Sequence, residues 1–518
     1  MKEKIVNSLG ISLPSFIEGY GDVKPYKGAF ATKATGRKYA PLKGNHVIGH
    51  SKIVTSIKDV LKLVEIKDGM RISFHHHLRD GDHVINMVMD EIAQMGVKNI
   101  TICPSSLTEA HTPLIDHIRT GVITGIETSG LRGEIGKEVA INNILKRPVI
   151  FRTHGGRARA IEAGEVVIDV TFIAAPTCDF MGNMNGIEGK SAFGAMGYPM
   201  VDAEYAHKVV AITDNLVDYP VKHISIPQTL VDYVVKIDSI GDATKISTGA
   251  TRITSNPTDL KIAEDTSKVL IASGLVQNGF AFQAGSGGAA LAVVQYLQTY
   301  MQENNIKGSF ASGGITMHLV ELLEQNFFEA LLDVQTFDGD AARSFTRNKN
   351  HIEMSSSMYA NPHNKGCVAH LLDIMILSAT EVDIHFNINS LTGSTGRIMG
   401  AIGGAPDTAA GSKLTVVVAP SIRNRIPIIV DQVGTIITPG ETVDILVTER
   451  GISVNPKRAD LLAQLKDCGL TIKPIEELKK EIHALTGTPE ELEYEDTIVG
   501  VVEYRDGTVI DVIKQVKE

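Results

Sequence analysis

The chain is poor in cysteine and has no arrangement of it that builds a framework. The four residues, Cys103, Cys178, Cys367 and Cys468, include no C-x-x-C pair. Neither a disulfide scaffold nor a cysteine zinc site therefore organises the fold. Long apolar runs are also missing. No stretch approaches the ~18 residues of a membrane span, and the opening MKEKIVNSLGISLPSF breaks up the apolar segment that a signal peptide requires. A cytoplasmic protein with reduced thiols, and no membrane partner, is the expectation. Basic charge is in deficit, with 50 Lys and Arg against 60 Asp and Glu and a formal net charge of -10. That excludes a phosphate-tracking nucleic-acid binder and makes any anion site a local one. Catalytic templates are absent too. Gly189-Lys190-Ser191 ends like a P-loop, but position 184 is Met where that loop requires Gly. Neither a G-x-S-x-G elbow nor an H-E-x-x-H pair occurs.

What is present is ample material for a core. Of 518 residues, 43% are hydrophobic and 21% charged, ordinary soluble usage and enough for roughly three domains at ~150 residues each. An internal repeat reduces that to two large halves. In the first, a strand-like run at 70–74 enters the polar loop 75–82. A helix-periodic stretch follows (Val84, Met87, Val88, Ile92, Met95), then a second strand at 99–103. In the second, 280–282 enters the loop 284–288, then Leu291, Val294, Leu297 and Met301, then a strand at 307–311. The same spacing separates Phe74 from Ile102 and Phe282 from Phe310. Further on, Asp169-Val170-Thr171-Phe172 and Asp383-Ile384-His385-Phe386 share D-x-x-F and are matched to one another as strands.

Because the strands are continuous apolar runs, parallel sheets covered by helices on both faces are expected. The fold class is thus α/β, two tandem Rossmann-like halves with an N-terminal extension and a C-terminal β-hairpin around Arg505-Asp506-Gly507. The expected boundaries are 1–50 for the extension, 51–230 for the first domain and 231–518 for the second. The stretch 221–265, with Pro227, Gly241, Gly249 and Pro257, is read as the linker.

Chemistry is expected at the loops. Gly285-Ser286-Gly287-Gly288 opens a helix after a strand, so its backbone N–H groups can face an oxyanion, a phosphate or a thioester carbonyl. A dinucleotide site would also need an acidic residue ending the next strand. That strand ends instead at Ser312-Gly313-Gly314. Glycines serving strand–helix packing alone remain an alternative. A second glycine-rich stretch, with Gly403 and Gly404, follows Asn389 and Arg397, and these loops should converge at the C-terminal ends of their strands. In the first half the matching loop reads His75-His76-His77-Leu78-Arg79. It offers an anion contact, a zinc ligand or simply core histidines. Arg152, His154, Arg157 and Arg159 form a basic cluster, either for a multiply anionic ligand or as a solvated face.

Two such halves resemble the family I CoA-transferase fold. Longer strings sharpen the resemblance: Ile72-Ser73-Phe74-His75-His76-His77, Phe151-Arg152-Thr153-His154-Gly155-Gly156-Arg157-Ala158-Arg159-Ala160, Thr316-Met317-His318-Leu319-Val320-Glu321, Tyr359-Ala360-Asn361-Pro362 and Asp407-Thr408-Ala409-Ala410-Gly411. Over essentially its whole length the chain resembles the citrate lyase alpha chains, the citrate:acetyl-acyl-carrier-protein transferases. The resemblance implies exchange of citrate for acetyl on the thioester of an acyl carrier protein (gamma chain), giving citryl thioester and acetate. It also implies a beta chain that then cleaves the citryl thioester, within a hetero-oligomer, with self-association left open. No cofactor is expected to be bound. The thioester sits on a phosphopantetheine-type arm of the carrier, and a CoA thioester is the expected surrogate. Related CoA-transferases attack with a Glu after the second strand of the catalytic half, where this chain has Ser312. Direct attack by a citrate carboxylate, without an acyl-enzyme, is the corresponding expectation. The roles then read: Gly285, Gly287, Gly288 and Ser312 to Gly314 as oxyanion and closing groups, and His75, His76, His77, Arg79, Arg152, His154, Arg157, Arg159, Asn389, Arg397, Gly403 and Gly404 as substrate contacts. A non-catalytic organising subunit and a dinucleotide-dependent oxidoreductase are the alternatives.

Overall fold

In the computed structural model, residues 3–34, 36–38, 40–41, 49, 51–247, 254–285, 287–466 and 468–517 are described. Ser286 of the glycine loop, Gly249 of the linker stretch and part of the N-terminal extension lie outside them.

The apolar runs form two large sheets. From edge to edge the first runs Val509–Val516, Tyr494–Glu503, Val149–Phe151, Ile123–Thr128, Ile100–Pro104, Arg71–Phe74, Val170–Ala175, Lys208–Thr213, Tyr233–Lys236 and Ile53–Val54. The second runs His351–Glu353, Phe328–Thr336, Gly308–Ile315, Ala281–Ala284, Ile374–Ser378, Leu414–Val418, Ile445–Thr448 and Gly451–Val454. Every pairing is parallel except the terminal one in each, Tyr494–Glu503 with Val509–Val516 and Ile445–Thr448 with Gly451–Val454. Strands with both faces covered leave no room for polar alternation: Ile123–Thr128, Val170–Ala175 and Leu414–Val418 are buried throughout. The two sheets follow one connection order, so the repeat seen in sequence is a duplicated fold.

The helix after Arg71–Phe74 spans Val84–Gln94 and buries Val84, Ile85, Val88, Met89 and Ile92 along one stripe. Met87 and Met95, expected in that stripe, are only partly buried. Its counterpart, Gly288–Glu303, buries Leu291, Val294, Leu297 and Met301 as the spacing predicts. Among the described residues no helix is long and apolar enough to cross a membrane.

Three expectations need correction. Tyr233–Lys236 and the C-terminal hairpin belong to the first sheet, not to a second domain running 231–518; Tyr494–Glu503 pairs with Val149–Phe151. The chain end therefore crosses back to the half where it began. There it meets the N-terminal extension, whose Leu13, Ile17 and Val23 share a small core with Val501 and Val509. Second, the D-x-x-F match is one strand out of step. Asp169 Oδ2 accepts from Arg71 N at 2.8 Å, and the equivalent acceptor in the second half is Asp373 Oδ2, from Ala281 N at 2.8 Å. Asp383 instead repeats Asp179, since each carboxylate gathers turn amides and the side-chain amide of the Asn four residues on. Third, Tyr233–Lys236 makes part of the 221–265 stretch a core strand rather than a linker.

Candidate active site

Parallel sheets direct their loops to the C-terminal strand ends, and in this chain the two sets of loops face each other. Ile402 N donates to Ser129 O at 2.8 Å and Leu131 N to Gly400 O at 3.0 Å. His154 N donates to Gly403 O at 2.9 Å, and Gln335 Nε2 donates to His76 O at 3.3 Å. Between the halves lies a cavity of about 320 Å³, at the lower end of small-molecule sites.

On the first-half side Arg79 and Arg132 supply the charge and His76 and His154 stand beside them, with Arg423 of the second half also in the lining. Arg79 sits on a short 3-10 turn, its guanidinium 4.8 Å over the Phe337 ring. Burial, then the nearby Arg132, pushes its pKa down to about 10. Burial likewise lowers Arg132, which precedes the helix Gly133–Asn142. Two buried guanidiniums, one of them depressed by the other, call for an anion of more than one charge beside them. His76 Nδ1 is held by Ser105 Oγ at 2.6 Å, leaving Nε2 as its other polar atom. Its ring stacks on Tyr198 at 5.4 Å, and His154 lies 4.6 Å from the same ring. Burial keeps both imidazoles neutral, His76 well below the usual range and His154 down to about 3, with Arg157 and Arg132 adding to the effect on His154. They are therefore hydrogen-bonding groups, not counter-ions.

The opposite wall carries one cation, Arg423, whose Nη2 reaches Ala379 O at 3.5 Å, and is otherwise neutral. Gln283 Nε2 donates to Tyr359 Oη at 2.8 Å, and Gly285, Gly314, Ser378, Gly403 and Gly404 complete the surface. Among the described residues, no lining side chain is a carboxylate, a thiol or an amine. Nor do the described residues bring three His, Cys, Asp or Glu side chains together as a metal group.

Of the residues singled out from sequence, His76, Arg79, His154, Gly285, Gly314, Gly403 and Gly404 line this cavity. Gly287 and Gly288 stand just behind it, at the start of a 16-residue helix. A Cβ on Gly287 (φ +137°) would lie 2.5 Å from Oγ of the lining residue Ser378. Gly285 cannot serve through its amide, which donates to Ile376 O at 2.8 Å. Ser312 is fully buried behind the lining, and Gly313 packs on the Gln283 side chain.

The basic cluster divides. Arg157 is buried in a bidentate pair with Asp202 at 2.6 and 2.7 Å, with a third bond to Cys103 O at 2.9 Å. Arg152 is held by Glu503 and Glu127, and Arg159 by Glu165 at 2.9 and 2.8 Å. All three guanidiniums are consumed internally, and none lines the cavity. Asn389 holds a tight turn through the amides of Leu391 and Thr392, as Asn185 does in the first half. Arg397 is exposed and away from the cavity. His75 is spent on Ala174 O and on His77, and neither ring reaches the lining. Sequence reasoning missed Arg132, Tyr198, Gln283 and Tyr359. Arg132 could have been found, because it follows the C-terminal end of the strand Ile123–Thr128 within the turn Ser129-Gly130-Leu131.

The family model "Citrate lyase, alpha subunit (CitF)" matches residues 50–516. The chain is 49% identical over 467 residues to the citrate lyase alpha chain of Haemophilus influenzae, covering 90% of this chain and 93% of that one. To the Klebsiella pneumoniae citrate lyase alpha chain it is 49% identical, over 90% of this chain and 92% of that one. A Streptococcus mutans citrate lyase alpha subunit, solved in complex with citrate, superposes with a TM-score of 0.93 at 48% identity, covering 99% of this chain and 100% of the other. The malonate decarboxylase alpha subunit of Acinetobacter baumannii shares the fold at a TM-score of 0.62 and 17% identity, over 85% and 90% of the two chains. The chain belongs to the citrate lyase alpha-subunit family, the citrate:acetyl-acyl-carrier-protein transferases.

Proposed function

We propose that the cavity between the halves holds citrate at its Arg79/Arg132 end and receives an acetyl thioester from the glycine-rich end, and that a citrate carboxylate attacks the thioester directly. The observation that carries this reading is the lining itself. It pairs two guanidiniums whose basicity burial lowers with no carboxylate, thiol or amine among the described lining side chains to take the acyl group first. Attack forms a citryl–acetyl mixed anhydride and expels thiolate. The thiolate then attacks the citryl carbonyl and acetate leaves, so neither half-reaction needs a proton. Charge on the tetrahedral oxygens is met by the amides of Gly287 and Gly288 at the helix start, an arrangement worth ~10²–10³ in rate per donor. His76 and His154 supply neutral hydrogen bonds to citrate. Holding both reactants in line supplies the other large term, up to ~7–11 kcal/mol. The thioester comes on the pantetheine arm of an acyl carrier partner, with CoA thioester as surrogate, and the citryl product passes to a lyase partner in one complex.

The test is Arg132→Ala. A charged hydrogen bond lost to citrate is worth about 1.5–3 kcal/mol, so the citrate KM should rise roughly 10- to 150-fold while the KM for acetyl thioester holds. An unchanged citrate KM overturns the assignment.

A further inference from the structure

Asp407 stands where three parts of the chain meet, and it touches no part of the cavity. It lies in the first turn of the helix Ala405–Gly411 of the second half and is fully buried. Its Oδ1 accepts from Thr153 Oγ1 at 2.8 Å and its Oδ2 from Gly155 N at 3.0 Å, both in the first half. Thr153 is the N-cap of the helix His154–Glu162, its hydroxyl also accepting from Gly156 N at 2.8 Å. From the C-terminal hairpin, Arg505 Nε comes within 3.6 Å of Oδ1, while its Nη2 meets His370 Nε2 at 2.8 Å. The approach admits no side chain at position 155, where a Cβ would lie 1.9 Å from Ala360 O and 2.8 Å from Asp407 Oδ1.

The residue between Thr153 and Gly155 is His154, and Gly403 and Gly404 stand four and three residues before Asp407, across Ala405 and Pro406. All three line the cavity, and His154 N is bonded to Gly403 O. The carboxylate therefore grips, on either side, the two backbone segments that carry those lining groups. Resting on the citrate reading above, we propose that Asp407 is the positioning residue that holds His154 in register with the Gly403–Gly404 loop across the seam, and so sets the geometry of the citrate end of the cavity. Burial pushes its carboxyl up to about 6, against the pull of Arg505, Gly155 and Thr153. At neutral pH it is thus mainly the anion the two donors require. Tyr359 and Cys367 of the second half and Tyr504 of the hairpin, the other titratable groups that face it, stay protonated there because burial raises each of them.

The experiment is steady-state exchange by the full chain with its carrier thioester, for wild type and for Asp407→Asn, Thr153→Ala and Thr153→Ser. Small displacements of positioning groups cost up to ~100-fold. Asp407→Asn and Thr153→Ala should therefore raise the citrate KM roughly 10- to 100-fold and leave the KM for acetyl thioester unchanged, with Thr153→Ser restoring citrate KM. The double variant Asp407→Asn/Thr153→Ala should be no worse than the worse single one, because both remove one interaction. Unchanged citrate KM in both single variants, an equal rise for both substrates, or a loss confined to the folded fraction overturns the proposal. Arg132→Ala serves as the control: if it too leaves citrate KM unchanged, the citrate reading has failed, whereas a rise with Arg132→Ala alone refutes only the role of Asp407.

Discussion

Arg157 separates a structural arginine from a substrate-binding one, and its replacement by Met is predicted to destabilise the chain without altering how it meets citrate. The guanidinium makes three buried hydrogen bonds, two to Asp202 and one to Cys103 O, and Asp202 has no other side-chain partner among the described residues. Removing one member of a buried ion pair leaves the other charge desolvated and uncompensated, at about 3–5 kcal/mol. The consequence should be read as a drop in the urea midpoint and in the folded yield at 37 °C. On the folded remainder the citrate KM should match wild type, since the side chain lines neither wall of the cavity. Replacing the pair together, Arg157→Met with Asp202→Leu, should recover most of the stability, because exchanging a buried pair for apolar groups is often neutral or stabilising. A stable Arg157→Met protein with a raised citrate KM would refute the reasoning, as would a double variant no more stable than the single one.

Other consequences follow from the same geometry. Gly287→Ala places a Cβ 2.5 Å from Ser378 Oγ at φ +137° and turns the helix amides away. Turnover should fall by ~10²-fold or more while citrate affinity by calorimetry is retained. In Gly404→Ala the new Cβ lies 2.7 Å from Tyr359 Oη, so the Tyr359–Gln283 bond must yield and stability should drop by about 1–3 kcal/mol in denaturation curves. Acid should destabilise the chain through His76, His77 and His154. Their folded pKa values lie below 6.5, so the unfolded chain binds more protons, and stability present above 6.5 is lost as pH falls from there toward about 3 for His154. Below about 6, Asp407 and Asp511 offset part of this, because their raised pKa values let the folded form take up protons first. Urea midpoints at pH 7.5, 6 and 5 check the sign, and a rising midpoint from 7.5 to 6 would contradict it.

Much of this architecture was legible in the residues, and the limits of legibility have physical causes. The first strand–loop–helix–strand unit of each half is readable because its strands are short, largely buried segments and its helices carry apolar residues at helical spacing. The loops at 75–79 and 285–288 are readable as matching positions because parallel sheets send such loops to one end. The match of Asp169 with Asp383 failed because both halves contain two acidic turn-formers about ten residues apart, Asp169 and Asp179, Asp373 and Asp383. Only hydrogen bonding tells which is which. The C-terminal hairpin was correctly seen as a hairpin but placed in the wrong half, since strand addition at a sheet edge leaves no local mark in sequence. The basic cluster misled for a similar reason. Arg152, Arg157 and Arg159 find their carboxylates at Glu503, Asp202 and Glu165, up to 351 residues away. Arg132, outside that cluster and with no basic residue beside it in sequence, reaches the cavity along with Arg79 and Arg423.

The account turns on direct attack by citrate, and isotope transfer in a single turnover tests it most directly. With enzyme in excess over acetyl thioester and citrate labelled with ¹⁸O in its carboxylates, the anhydride route leaves one citrate oxygen in the departing acetate. Acetate from the first turnover carrying ¹⁸O, with no acyl group on the protein by mass spectrometry, is the predicted result. Unlabelled acetate, formed as the chain takes up an acyl or thioester adduct, would contradict it and show that a nucleophile of the protein acts before citrate.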